Sequence, residues 1–197
     1  MKILGISAHT NEKSISLRLL KHVLVLFNHA NTELLNLVDY ESNLHSIDNQ
    51  TPIKTSNLSH QLETSNLIII ALEELKELNN LEYQNLLTNL PNINSLKSIP
   101  ILLISTSLNK TEGVNILTQL KQKFNLAGLE IIDSFTLPNF KDNFSSKNTI
   151  TTTRLSLELI RKINNIKQNR FKPYFKIRKK MCGVDTEGFE NCDSSPY

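Results

Sequence analysis

The chain has 197 residues and a net charge of +3, and 39% of its residues are hydrophobic. This composition excludes a disordered protein, a disulfide scaffold and a collagen-like chain. The longest apolar run, residues 67–72, is far shorter than the roughly 20 residues that a membrane-spanning helix needs. The length fits one domain, and because the N-terminus lacks the apolar region of a signal peptide, we expect a cytoplasmic protein.

Five apolar segments predict the strands of one sheet. The clearest, residues 67–72, is a continuous run rich in β-branched residues, which is typical of a strand covered on both faces. Residues 40–56 are polar and predict a loop. In chain order, the predicted strands are residues 3–7, 33–38, 67–72, 100–105 and 129–135.

Apolar residues at helical spacing predict helices between these strands. In the first helix Leu17, Leu20, Leu24 and Phe27 share one face, and Ser14 is the predicted N-cap. Because strands alternate with helices, the sheet is predicted to be parallel, with helices on both faces. The remaining helices are predicted at residues 57–65, 80–90, 113–127 and 151–168.

This alternation predicts an α/β, flavodoxin-like fold: a doubly wound five-stranded parallel sheet of order 2-1-3-4-5 over residues 1–168, followed by a C-terminal tail, residues 169–197. In such sheets ligands bind beyond the carboxyl ends of the strands, at the switch point between strands 1 and 3. The candidate ligand loops are therefore residues 7–16, 72–80 and 105–113.

The first of these loops is predicted to bind an anion. Residues 7–16 join a strand to a helix N-terminus, where backbone N–H groups and the helix dipole favour a phosphate. Hydroxyl and amide side chains in the loop can complete the cradle. The alternative is an ordinary polar turn in which Ser14 only caps the helix.

Three motifs lie in chain order at these loops: Ile6, Ser7 and Ser14 at the first, Ala71 and Glu74 at the second, and Ser105, Ser107 and Gly113 at the third. Together they resemble the NAD(P)H-dependent FMN reductase family, and the resemblance covers about residues 1–165. The family pattern of the first loop is I-S-G-S-x-R-x-x-S-x-N. Asn11 stands where the family has an arginine, so the main cationic contact to a phosphate is missing.

The resemblance implies that the first loop holds the phosphate of FMN. His9 and Lys13 are the candidates to replace the missing positive charge. The residues implied for phosphate binding are His9, Asn11, Ser14 and Ser16.

The second and third motifs follow the third and fourth strands. Ala71 and Glu74 match the second motif, but its Pro, Tyr, Asn and Gly are replaced here. Ser105, Ser107 and Gly113 match the third motif. Surface and strand-end turns are the alternatives for these loops. The resemblance implies that both loops line the flavin ring, through Glu74, Leu75, Lys76, Ser105 and Ser107.

The C-terminal tail separates its charges. Residues 170–180 hold six basic residues and no acid, and residues 181–197 hold four acids and no base. We expect an extended segment that packs on the domain or on another subunit, or binds a partner protein. Nucleic-acid binding is not expected, because the basic segment is short and an acidic one follows. The cysteines, Cys182 and Cys192, lie in this tail, and no metal-ligand spacing is found.

The resemblance implies an FMN-binding oxidoreductase that uses NAD(P)H to reduce the flavin or a small acceptor such as a quinone. The cofactor supplies the chemistry, so no catalytic side chain is assigned. Two alternatives remain. One is a degenerate domain without activity that serves as a structural or interaction subunit; the other is a flavin-binding protein without reductase activity. The family also implies a homo-oligomer.

Overall fold

The computed structural model describes residues 1–7, 14–36, 59–74, 96–109 and 114–171. Within these residues the chain forms a five-stranded parallel sheet of order β2-β1-β3-β4-β5. This order confirms the predicted flavodoxin-like topology. The strands are β1 (Lys2–Ser7), β2 (Asn31–Asn36), β3 (Leu67–Glu74), β4 (Ile101–Ser107) and β5 (Ile131–Leu137).

The described helices alternate with the strands as predicted. They are α1 (Ile15–Leu26), α2 (Val114–Leu126), α3 (Phe140–Asn143) and α4 (Thr153–Arg170). Residues 59–63 are also helical, within the helix predicted at 57–65. The single turn α3 was not predicted from the sequence, and the helix predicted at 80–90 lies outside the described residues. No described helix is long and apolar enough to cross a membrane.

Two strands are displaced from their predicted bounds because backbone pairing fixes their limits. β2 begins at Asn31, whose N–H donates to the carbonyl of Met1 at 2.9 Å. β5 begins after Leu129, because the N–H of Leu129 donates to the carbonyl of Phe124 at 2.9 Å and so closes the end of α2. Gly128 makes this turn with a φ of +77°, a conformation that favours glycine.

One face of the sheet packs closely against α1. A Cβ atom added to Gly5 of β1 would lie 3.0 Å from Leu24 Cδ1 and 3.1 Å from Leu20 Cδ1. The missing side chain therefore allows α1 to approach the sheet. Because side chains alternate along a strand, Ile3 and Ser7 lie on the same face of β1 as Gly5.

The opposite face carries the larger apolar cluster. Leu117, Leu120 and Phe124 of α2 pack there with Leu103 of β4 and Ile70 of β3, and all five side chains are buried. Burial of such side chains stabilises the fold by about 1.5–3 kcal/mol each, before the cost of ordering them is counted.

The chain divides into two compact units, Met1–Ile163 and Asn164–Tyr197. The whole sheet belongs to the first unit. Residues 172–197 lie outside the described part, so the extended tail, its possible partner and the state of both cysteines stay predictions.

Candidate functional site

The N-terminus of α1 lies after β1, at the carboxyl end of the sheet. Ser14 caps the helix: its Oγ accepts a hydrogen bond from the N–H of Leu17 at 3.1 Å. Ser16 Oγ lies 3.2 Å from Ser14 Oγ, and both side chains are buried. The first turn of α1 holds no acidic residue, so its N–H groups and dipole favour an anion there.

Two buried hydroxyls lie on the α1 face of the same sheet edge. Ser7 ends β1, in register with Ala71, and Thr106 lies near the end of β4, in register with Glu73. The side chains of Ser7 and Thr106 are fully buried, and neither hydroxyl has a hydrogen-bond partner in the part of the chain that the structure describes. An unpaired buried hydroxyl costs about 1–3 kcal/mol, so these groups are expected where a polar ligand binds.

The two serines predicted from the third motif lie on the other face of β4 from Thr106. Ser105 Oγ donates to Thr136 Oγ1 of β5 at 3.1 Å. Ser107 Oγ donates to the carbonyl of Asn109 at 2.6 Å. Both serines are buried, and these hydroxyls stabilise the sheet edge and the turn after it. Their predicted contact with a flavin ring stays a prediction.

The remaining predicted residues divide into two groups. Glu74 is the last residue of β3, where its backbone is in register with Ser107. The other four lie outside the described residues, and their roles stay predictions: His9, Asn11, Leu75 and Lys76.

Arg18 lies one turn into α1, at a different position from the arginine of the first motif. Its Nε donates to Asn148 Oδ1 at 3.1 Å, and Nη2 donates to the carbonyl of Ser145 at 2.9 Å. Its Cζ also lies 5.3 Å from the ring centroid of Phe140 and 5.2 Å from that of Phe144. Arg18 therefore joins α1 to the connection between β5 and α4.

His22 lies one turn further along α1 and packs edge-on against Phe144, with ring centroids 5.9 Å apart. Burial lowers the pKa of His22 from its ordinary value of 6.5, although a hydrogen bond with the Asn148 backbone acts in the opposite direction. The imidazole is therefore neutral at pH 7 and supplies no charge to an anion.

Sequence patterns missed Thr106 and Arg18 as residues of this region. Strand alternation was the available signal for Thr106, since it lies between the two predicted serines and must face the other side. Arg18 gave no local signal, because its partners lie 127 and 130 positions away in the chain.

Comparison with known proteins gives the family. Residues 1–142 match the family described as NADPH-dependent FMN reductase. The chain belongs to this family. The match confirms the resemblance inferred from the three motifs, and with it the expectation of FMN as cofactor and NAD(P)H as reductant. A comparison with curated proteins finds no match.

Solved structures share the fold at low sequence identity. An NADH:FMN oxidoreductase in its apo form has a TM-score of 0.67 and 15% identity, over 86% of this chain and 89% of that one. An FMN-dependent NADH-azoreductase from Bacillus anthracis has a TM-score of 0.54 and 16% identity, over 83% and 96%. An NAD(P)H:quinone oxidoreductase from Methanothermobacter marburgensis has a TM-score of 0.59 and 10% identity, over 85% and 97%.

The described residues fit the cofactor of this family. The hydroxyls of Ser7 and Thr106, which have no partner among the described residues, and the α1 N-terminus capped by Ser14 all lie at the carboxyl end of the sheet. These groups suit a ligand with a phosphate and several hydroxyls. In the described ranges, no cluster of three or more His, Cys, Asp or Glu residues could hold a metal ion.

Proposed function

We propose that this protein binds FMN at the carboxyl end of its sheet and uses NAD(P)H to reduce the flavin or a small acceptor such as a quinone. The observation that carries the proposal is the family match over residues 1–142. The capped N-terminus of α1 and the buried hydroxyls of Ser7 and Thr106 support it, because they are the polar groups that such a ligand would satisfy.

The chain's own residues bind and orient, while the bound flavin supplies hydride and electron transfer. The first turn of α1 stabilises a phosphate through its backbone N–H groups, aided by the hydroxyls of Ser14 and Ser16 and by His9 and Asn11. The second group of proposed residues lines the ring: Glu74, Leu75, Lys76, Ser105 and Ser107. No side chain is assigned a proton transfer.

The first experiment is an absorbance spectrum of the purified protein, before and after mixing with FMN and desalting. We expect a retained flavin band, quenching of FMN fluorescence on titration, and bleaching of the band by NADPH under anaerobic conditions. A folded protein that neither retains FMN nor quenches its fluorescence would contradict the proposal and favour the degenerate structural subunit. Tight binding without bleaching by either dinucleotide would identify a flavin-binding protein that is not a reductase.

We further propose that the protein is a homo-oligomer in the cytoplasm. The cytoplasmic assignment is supported by its use of NAD(P)H, an intracellular reductant. The oligomer is supported by exposed apolar side chains on α4, Leu157 at 61% and Ile160 at 39% of their full exposure. Light scattering after size exclusion tests the oligomer, and a mass of 22.5 kDa, that of one chain, would contradict it. Removal of residues 172–197 tests whether the tail contributes.

A further inference from the structure

A cavity of about 530 Å³ opens beside the N-terminus of α1, and its volume is within the usual range for small-molecule sites. Ile15, the first residue of α1, lines it, and so does Leu108, the residue after β4. Arg18 of α1 and the connection between β5 and α4 complete the described lining. The cavity therefore adjoins the helix end that we propose to bind a phosphate.

The first loop lacks the cation that the family pattern provides for this phosphate. Asn11 stands at the position of the arginine, and His22 of α1 is neutral at pH 7. A phosphate monoester carries a charge of about −1.5 to −2 at pH 7, whereas a helix N-terminus supplies only about half a positive charge. Positive side chains are therefore required near the N-terminus of α1.

Arg18 brings a positive charge that the fold holds in place. Nε donates to Asn148 Oδ1 at 3.1 Å and Nη2 to the Ser145 carbonyl at 2.9 Å, and the guanidinium lies over the buried rings of Phe140 and Phe144. The other three N–H donors form no hydrogen bond with the described residues. Because the guanidinium is already ordered, less entropy is lost when these donors bind a phosphate.

Lys141 brings a second positive charge to the same cavity. It is exposed, and it forms no ion pair among the described residues. Its neighbour Asp142 does not line the cavity, and Asp142 Oδ2 accepts a hydrogen bond from Asn139 Nδ2 at 2.5 Å. The described lining thus holds two cations and no carboxylate, so it attracts negative charge.

The buried hydroxyls of Ser7 and Thr106 are an independent sign of a polar ligand at this sheet edge. Both side chains are fully buried on the α1 face, and neither hydroxyl has a partner among the described residues. Thr106 lies two residues before Leu108, which lines the cavity. The two cations and the two unpaired hydroxyls therefore lie on the α1 side of the same sheet edge.

We propose that this cavity receives the phosphate of FMN, and that Arg18 and Lys141 bind it together with the first-turn N–H groups of α1. The two cations supply the charge that Asn11 does not. This inference rests on the proposed function, because it names further residues for the same cofactor. It requires that both cations contribute to the binding of FMN and not to that of riboflavin, which has the same ring system and no phosphate.

The test is the quenching of FMN and riboflavin fluorescence by the purified full chain at physiological salt, where the Debye length is about 8 Å. Lys141→Gln should weaken FMN binding about threefold, because an exposed charge pair contributes little more than this, and Lys141→Glu about tenfold. Neither should change riboflavin binding. Lys147→Gln is the matched control, an exposed lysine in the same connection that does not line the cavity, and it should bind both flavins like the wild type.

Arg18→Gln should weaken FMN binding about tenfold or more, because it removes charge-assisted hydrogen bonds from a partly buried group. Arg18 also packs on the rings of Phe140 and Phe144, so its replacement can lower stability. Riboflavin affinity separates the two roles, since a purely structural effect would weaken both flavins equally. If Arg18→Gln does not fold, the exposed Lys141 variants decide the question.

Two results would overturn this inference while the proposed function stands. One is equal FMN affinity in Lys141→Gln and Lys147→Gln, and the other is a loss of riboflavin affinity in the Lys141 or Arg18 variants as large as that of FMN. A wild-type protein that binds neither flavin would contradict the proposed function itself, and this inference with it.

Discussion

Thr106 has a hydroxyl that the fold buries without a partner among the described residues. Replacing it with valine keeps the shape and removes the polar group. We therefore expect Thr106→Val to stabilise the protein without FMN by about 1 kcal/mol and to weaken FMN binding by about tenfold, the worth of one hydrogen bond. Urea unfolding and quenching of FMN fluorescence measure the two effects. Thr32→Val, at an exposed position on β2, is the control and should change neither. Unchanged FMN affinity in Thr106→Val would show that this hydroxyl does not contact FMN.

The protonation of His22 makes the stability of the folded protein depend on pH. Its pKa is lowered in the folded protein, chiefly by burial, so the unfolded chain takes up a proton first as the pH falls below 6.5. The stabilisation is complete above the unfolded value and is lost as the pH falls toward the folded one. We expect the wild type to lose stability relative to His22→Gln between pH 7 and pH 5, as measured by urea unfolding at each pH. If the free energy of unfolding changes equally with pH in the wild type and in His22→Gln, the pKa of His22 is not lowered by folding.

At the scale of elements, contact between α1 and β1 positions the helix end that we propose to bind an anion. Leu24 Cδ1 and Leu20 Cδ1 leave no room for a β-branched side chain at Gly5, since a single added Cβ already lies 3.0 Å and 3.1 Å from them. We expect Gly5→Val to destabilise the protein by about 1–3 kcal/mol through overpacking, and Gly5→Ala to cost less. Thermal unfolding of both variants measures which is the less stable. If Gly5→Val is at least as stable as Gly5→Ala, α1 can move away from the sheet without cost.

The elements also differ in how well local sequence predicts them. β3 and β4 were predicted closely because their continuous apolar runs are those of strands buried on both faces. β2 was displaced because its start depends on the bond from Asn31 to Met1, a distant partner. The same limit applies to the site: Ser14 was identified from its position before a helix, whereas the contacts of Arg18 depend on residues far along the chain.

At the scale of the whole molecule, a ligand that binds only the folded state must stabilise it by mass action. At one hundred times its dissociation constant FMN should add about 2.7 kcal/mol, or roughly 5–10 °C in the midpoint of thermal unfolding for a chain of this size. At the same concentration riboflavin should give a smaller shift, because it lacks the phosphate that the N-terminus of α1 is proposed to bind. Free FMN and riboflavin are fluorescent and present in excess, so the midpoint of thermal unfolding is best measured by circular dichroism. Equal shifts from FMN and riboflavin would show that the N-terminus of α1 does not bind the phosphate. No shift from either ligand would contradict flavin binding itself.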